Sequence, residues 1–171
     1  MKIPKQITHE QRLIRSRTAL QKFLDESAGL ESKRGPLLVQ LPPSLEFEPR
    51  VANRFFTLFR SLYEGLAVCE PRHHTWFGSA VVDALLTRHR IGRVAADPAV
   101  VDGARLPGGW PDLAYFRLHG SPRTYWSSYT PAFIEAVAAA MGAHREAWCI
   151  FDNTASGAAI ENAWELRQIL Q

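Results

Sequence analysis

The sequence predicts an α/β fold in which parallel strands alternate with helices, and a β/α barrel over a doubly wound sheet. Three observations carry this expectation. Short apolar runs recur at 37–41 (LLVQL), 66–70 (LAVCE), 93–97 (RVAAD), 114–119 (AYFRLH) and 147–153 (AWCIFDN). Their starts lie roughly 20 to 35 residues apart, about one strand plus one crossover helix, and most lack the apolar/polar alternation of a half-exposed strand. Helical spacing fills most of the gaps between them. No GxGxxG or GxxxxGK[ST] follows any strand, whereas polar residues close strand after strand: Gln40, Glu70 with Arg72, Asp97, Arg117 with His119, and Asp152 with Asn153. In a β/α barrel such ends converge on one face.

Each element has its own signal. The stretch 8–29 places Leu13, Ile14, Arg17, Leu20, Phe23 and Leu24 near one face, with Thr8 as N-cap and Gly29 as the stop, and predicts a first helix. The strand at 37–41 ends at Pro42 and Pro43, which lack the N–H a ladder needs. A helix over 49–64 follows from Val51, Phe55, Leu58, Phe59 and Leu62. After the 66–70 strand comes a helix at 78–90, and after 93–97 a Pro/Gly-rich loop at 98–112 stands where the next helix would be. The strand 114–119 leads through a turn to a helix at 131–142, opened by Thr130 and Pro131. The strand 147–153 and a helix at 156–170 finish the chain.

With 171 residues, 46% of them hydrophobic, the chain can build one core but not two ordinary domains, so residues 1–171 are expected to be a single domain. No run approaches the roughly 18 uncharged apolar residues of a spanning helix, so no membrane partner and a cytoplasmic location are expected. Cys69 and Cys149 lie inside strand-like runs without a CxxC partner and read as buried structural thiols. Twenty Lys and Arg against seventeen Asp and Glu give +3, a mild bias toward anionic ligands with no basic stripe; a nucleic-acid partner has only this weak support. Sixteen of the twenty are Arg, which suits forked contacts to carboxylate or phosphate but also follows from GC-rich coding.

Five segments read together, ITHEQRL (7–13), GPLLVQLPPSLEF (35–47), AVCEPRHHTWF (67–77), YFRLHGSPRTYWSSY (115–129) and CIFDNTASGAAIENAWEL (149–166), resemble the YecE-like family, DUF72. The resemblance covers nearly the whole chain and implies a TIM-type barrel. One departure stands out. Members of that family begin with a Gly-Thr-Ser-Gly type strand, then a strand with an Asn and an aromatic pair, then a third ending in Lys; MKIPKQITHE resembles the tail of that third strand. The resemblance therefore implies a partial barrel lacking the first two to three strands, roughly seventy residues or two βα units. Such a barrel has two unpaired strand edges, and self-association through them is expected.

The candidate site residues are those at the strand ends. Gln40 either points into the barrel mouth or satisfies backbone. Glu70 and Arg72, two apart on one strand, form either an interior ion pair or a site in which Arg72 grips an anion and Glu70 handles a proton. His73 and His74 are adjacent and in an extended segment would face opposite ways, so that only one, taken as His73, reaches the site. Trp76 either stacks on a ring or covers the core. Asp97 is a base, a metal ligand or the cap of the next turn. Arg117 and His119 share one strand face, where only a polar interior or an anionic partner makes burial tolerable. Gly120 then allows a backbone or ligand to come close, and Tyr125 and Tyr129 would wall the pocket. Asp152, Asn153 and Thr154 precede Ala155, Ser156 and Gly157, where helix-start N–H groups can hold a phosphate, or where a simple N-cap sits. Asn162 reaches back from the last helix, and His9 is a peripheral member.

These assignments predict an enzyme acting on an anionic small molecule, phosphorylated or otherwise, or on a phosphodiester. Arg72 and Arg117 would bind the anion, Glu70 and His119 transfer protons, and Asp97 act as base. Gln40, His73, Trp76, Tyr125, Asp152 and Asn153 would complete the substrate-binding set. No metal-ligand spacing is present, and no cofactor is identified. The alternative is a non-catalytic anion-binding module, or an inactive relic of a longer barrel.

Overall fold

The computed structural model describes residues 1–171, the side chain of Ser32 excepted. Five α-helices form: α1 (Arg17–Ser27), α2 (Pro49–Leu62), α3 (Ala80–Arg88), α4 (Pro131–Gly142) and α5 (Ala158–Ile169). The strands are β1 (Leu37–Gln40), β2 (Ala67–Glu70), β3 (Gly92–Arg93), β4 (Ala95–Asp97), β5 (Gly108–Gly109), β6 (Leu113–Leu118) and β7 (Glu146–Phe151).

β1, β2 and β3 pair in parallel, as do β4, β6 and β7. The two ladders meet at Val94, which bends one continuous run: its N–H still donates to Cys69 O at 2.9 Å, and β4 then turns to β6. Lys2 bridges Leu38 in parallel, with Ile3 N–H donating to Leu38 O at 2.9 Å, so the first residues lie beside β1. Among the parallel strands spatial order follows chain order with no reversal, which is barrel topology, not doubly wound topology. The sheet does not close. It is an open, barrel-like α/β fold with β7 at one edge.

Alternation along each strand separates two faces. Leu37, Val39, Ala67 and Cys69 face α1, α2 and α3 in one apolar core, and Ala95, Ala114, Phe116 and Leu118 face α4 and α5 in another. The opposite, concave face is filled by Leu38, Val68, Val94, Leu113 and Tyr115, with Trp110, Trp148 and Ile150 packed against them. Trp148 crosses this interior. A Cβ placed on Gly35, just ahead of β1, would stand 2.9 Å from its Cη2, so any other residue there would push the indole aside.

Three expectations need correction. The helix expected over 8–29 is broken: a single π-turn at Gln6–Glu10 precedes a kinked segment with positive φ at Arg12, Leu13 and Arg15, and α1 begins only at Arg17. The apolar period ran through because Leu13 and Leu20 are both buried, although the backbone between them is not helical. The strand at 93–97 is two strands bent at Val94. The 98–112 loop carries a short antiparallel strand, β5, paired to β3 at Gly92↔Gly109.

Arg60 fastens the opposite end of the sheet. Its guanidinium donates to His89 O (2.6 Å), Tyr63 O (3.1 Å), Gly65 O (2.7 Å) and Arg90 O (2.7 Å), tying the end of α2 to the turn after α3. Burial, with the neighbouring Arg90 charge, pulls its pKa down to about 10. No helix is long and apolar enough to cross a membrane.

Candidate active site at the carboxyl ends of the strands

Strand alternation decides which polar residues meet. In the interior register Gln40 is opposite Glu70, and Arg117 is opposite Ile150. Residues two apart on β2 and β6 add Arg72 and His119 on the same side, and Asp152 follows β7. Glu70 is the hub. Its Oε1 accepts from Arg72 Nη1 (2.6 Å) and Gln40 Nε2 (3.2 Å), and its Oε2 from Arg117 Nη1 (2.5 Å). Arg117 Nη2 donates to Asp152 Oδ2 (2.5 Å), and His119 Nδ1 lies 3.4 Å from the same oxygen.

The electrostatics follow from burial and pairing. Burial alone would raise the Glu70 carboxyl, but the Arg117 charge and hydrogen bonds from Arg117, Gln40 and Arg72 outweigh it and hold it below the usual carboxylate range. Arg117, opposed only by its own burial, is raised by Glu70 and Asp152. Burial and the adjacent Arg117 push His119 below its ordinary value, against the pull of Asp152. Its imidazole is therefore neutral near pH 7. His119 is only 6% exposed, and neither ring nitrogen has a hydrogen-bond partner. A buried imidazole left this way carries an unmet desolvation cost unless something else bonds to it.

The loop after β6 is shaped around this histidine. Tyr125, at φ +66°, donates its N–H to His119 O and sets its ring edge-on to the imidazole, 5.6 Å between centroids. Gly120 sits at φ +92°, and a Cβ there would meet Ser127 O at 2.9 Å; the close neighbour is the protein's own backbone. Tyr129 is buried, its hydroxyl accepting from Gly120 N–H (2.7 Å) and donating to Asp97 Oδ2 (2.9 Å). Asn153, fully buried, donates to Ser127 O (3.0 Å) and Asn162 Oδ1 (2.9 Å), and Asn162 Oδ1 accepts from Tyr129 N–H (3.1 Å). Asn153 and Asn162 thus position the loop from behind.

Gln40, Glu70, Arg72, Arg117, His119, Tyr125 and Asp152 are brought together. Others are not. Asp97 pairs in register with Leu118, whose side chain is in the helix-facing core, so Asp97 points away from the rim toward α4. Strand phase excludes it, since Asp97 is one residue beyond Ala96, the residue opposite Arg117. Trp76 is 1% exposed, packs edge-on to Phe47 and donates its indole N–H to Leu45 O at 2.9 Å, covering the core. His73 accepts from Thr75 N–H at the head of a 3-10 turn, where the chain is no longer extended; its ring lies 4.4 Å from that of His74. The helix-start N–H groups are partly used: Ala155 donates to Tyr125 O and Ala158 to Ser156 Oγ. His9 bonds to the adjacent Thr8. Among the described residues no three His, Cys, Asp or Glu side chains converge to hold a metal ion. The residue roles that sequence reasoning missed belong to Asp152, which accepts from Arg117 and lies 3.4 Å from His119 Nδ1, and to Tyr129, whose hydroxyl fixes Gly120.

With this geometry in hand, comparison with known proteins identifies the family. The family model described as "Protein of unknown function DUF72" matches residues 1–171. A DUF72 family protein from Thermotoga maritima shares the fold at a TM-score of 0.80 and 22% identity, over 99% of this chain and 72% of that one. A DUF72 family protein from Enterococcus faecalis does so at a TM-score of 0.76 and 22% identity, over 99% of this chain and 76% of that one. No functionally curated protein matches. The open barrel, its motifs and the match over its full length agree, and the chain belongs to the DUF72 family.

Proposed function

We propose that the rim is an active site for an anionic small molecule or phosphodiester, with His119 transferring a proton beside the Asp152 carboxylate and Arg72 gripping the anion. The observation that carries this is the His119 imidazole: buried, neutral, beside a carboxylate, with both nitrogens unbonded. A neutral imidazole can accept a proton as a general base and return it as an acid. Arg72, one third exposed, commits only Nη1 to Glu70, which leaves its other N–H groups for a forked contact with a phosphoryl or carboxylate group. Arg117 holds Glu70 and Asp152 in register and is a positioning residue.

The charge balance favours a second reading, binding without turnover. Two arginines face two carboxylates, so the uncommitted N–H groups of Arg72 can hold an anion while no net positive charge is left to stabilise negative charge developing in a transition state. A panel of phosphomonoesters and phosphodiesters, scored for turnover and for binding by calorimetry, separates the two. Catalysis predicts turnover that His119→Asn abolishes while the melting temperature changes little; saturable binding with no turnover supports the second reading. Absence of both rejects the site.

A further inference from the structure

A second site lies on the opposite face of the sheet. Where the 98–112 loop replaces a helix, the layer between α3 and α4 is left open over a cavity of about 190 Å³. Its walls are apolar: Ala95, Phe116 and Leu118 from the sheet, Phe133, Val137 and Ala140 from α4. Two ionisable side chains line it among the described residues, Asp97 from the sheet, which is 7% exposed, and Arg105 from the loop. Tyr129 donates to its Oδ2, and among the described residues its Oδ1 has an ion pair with Arg105 alone, at 3.6 Å, longer than a direct hydrogen bond. Arg105 is itself exposed and has an alternative partner in Asp102, 3.8 Å from its Nε.

We propose that this cavity binds a small primary amine with an apolar body, its ammonium paired to Asp97 Oδ1. A buried carboxylate with an unfilled acceptor at the end of an apolar cavity gains most from a ligand that supplies both a charged donor and a hydrocarbon surface. Arg105, already 3.8 Å from Asp102 through its Nε, keeps that carboxylate as its partner when the ammonium takes Asp97 Oδ1. A carboxylate ligand would instead be repelled by Asp97. The site is separate from the rim, since Asp97 and Arg117 belong to opposite faces.

Benzylamine, benzyl alcohol and benzoate, similar in size and different in charge, test this on the unmodified protein by calorimetry and methyl chemical shifts. Benzylamine is expected to saturate with shifts at Leu118 and Val137, at least tenfold tighter than benzyl alcohol and with benzoate weakest. Asp97→Asn, which keeps an acceptor for Tyr129, should bring the amine-to-alcohol ratio close to one. Ala140→Leu, filling the cavity, should abolish binding with a cooperative melt retained. Benzoate binding as tightly as benzylamine would make Arg105 the anchor and overturn the proposal; so would equal binding of amine and alcohol, or no saturation by any of the three.

Discussion

Glu70 is 1% exposed and accepts three hydrogen bonds, two from arginines, so its charge is tolerable only while they remain. Arg117→Ala removes the cation that also reaches Asp152. Breaking a buried pair from one side leaves the other charge uncompensated, and a loss of about 3 kcal/mol in urea denaturation is expected. Glu70→Gln with Arg117→Leu together should cost less than the sum of the two, which a double-mutant cycle would measure. The pH dependence has a definite sign. The Glu70 pKa is lowered on folding, so its stabilisation is present above the ordinary 4.5 and is lost as pH falls through the folded value. His119 is also lowered, from 6.5, so the folded chain again binds fewer protons than the unfolded one and stability declines as pH drops below about 6.5. Chemical denaturation from pH 7 to about pH 3 should show both declines, and His119→Gln should reduce the upper one, to which His9 and His89, also lowered by burial, contribute the remainder.

At the scale of elements, Arg60 gives the sharpest expectation. Four carbonyls from two turns converge on one planar donor, and no lysine can reproduce that fork. Arg60→Ala and Arg60→Lys should both lower stability by about 2 kcal/mol, read from the denaturation midpoint. Gly120→Ala should cost about 1–3 kcal/mol, because Ser127 O is backbone and cannot yield cheaply; proton exchange at Tyr125 and Ser127 should rise with it. The parallel strands and α2, α4 and α5 were legible in the sequence to within about two residues, since buried parallel strands are continuous apolar runs and Pro49 and Pro131 mark their helices. Gln40, Glu70, Arg117 and Asp152 were legible for the same reason: they are strand-end polar residues. Asp97 misled because strand ends fix which rim a residue reaches but only the pairing register fixes its face. Trp76 and His73 misled because the chain after Glu70 turns, and backbone turns of that kind leave no periodicity.

The whole molecule is an open sheet whose last strand has one free edge. On the outer surface beside it, α5 exposes Ile160 (79%) and Trp164 (59%), one helical turn apart. A free edge next to an apolar patch invites a second copy. Sedimentation velocity over a hundredfold concentration range is expected to show a concentration-dependent mass, reduced by Trp164→Glu; a single monomer throughout would argue that the edge is shielded. The indole of Trp148 against Gly35 has a different consequence. It fills the hollow of the sheet at its amino end, while the flank between β7 and β1 stays unpaired. Because the sheet never closes, a guest at the rim has that flank as a second way out, and its residence is set by the side chains that hold it rather than by enclosure.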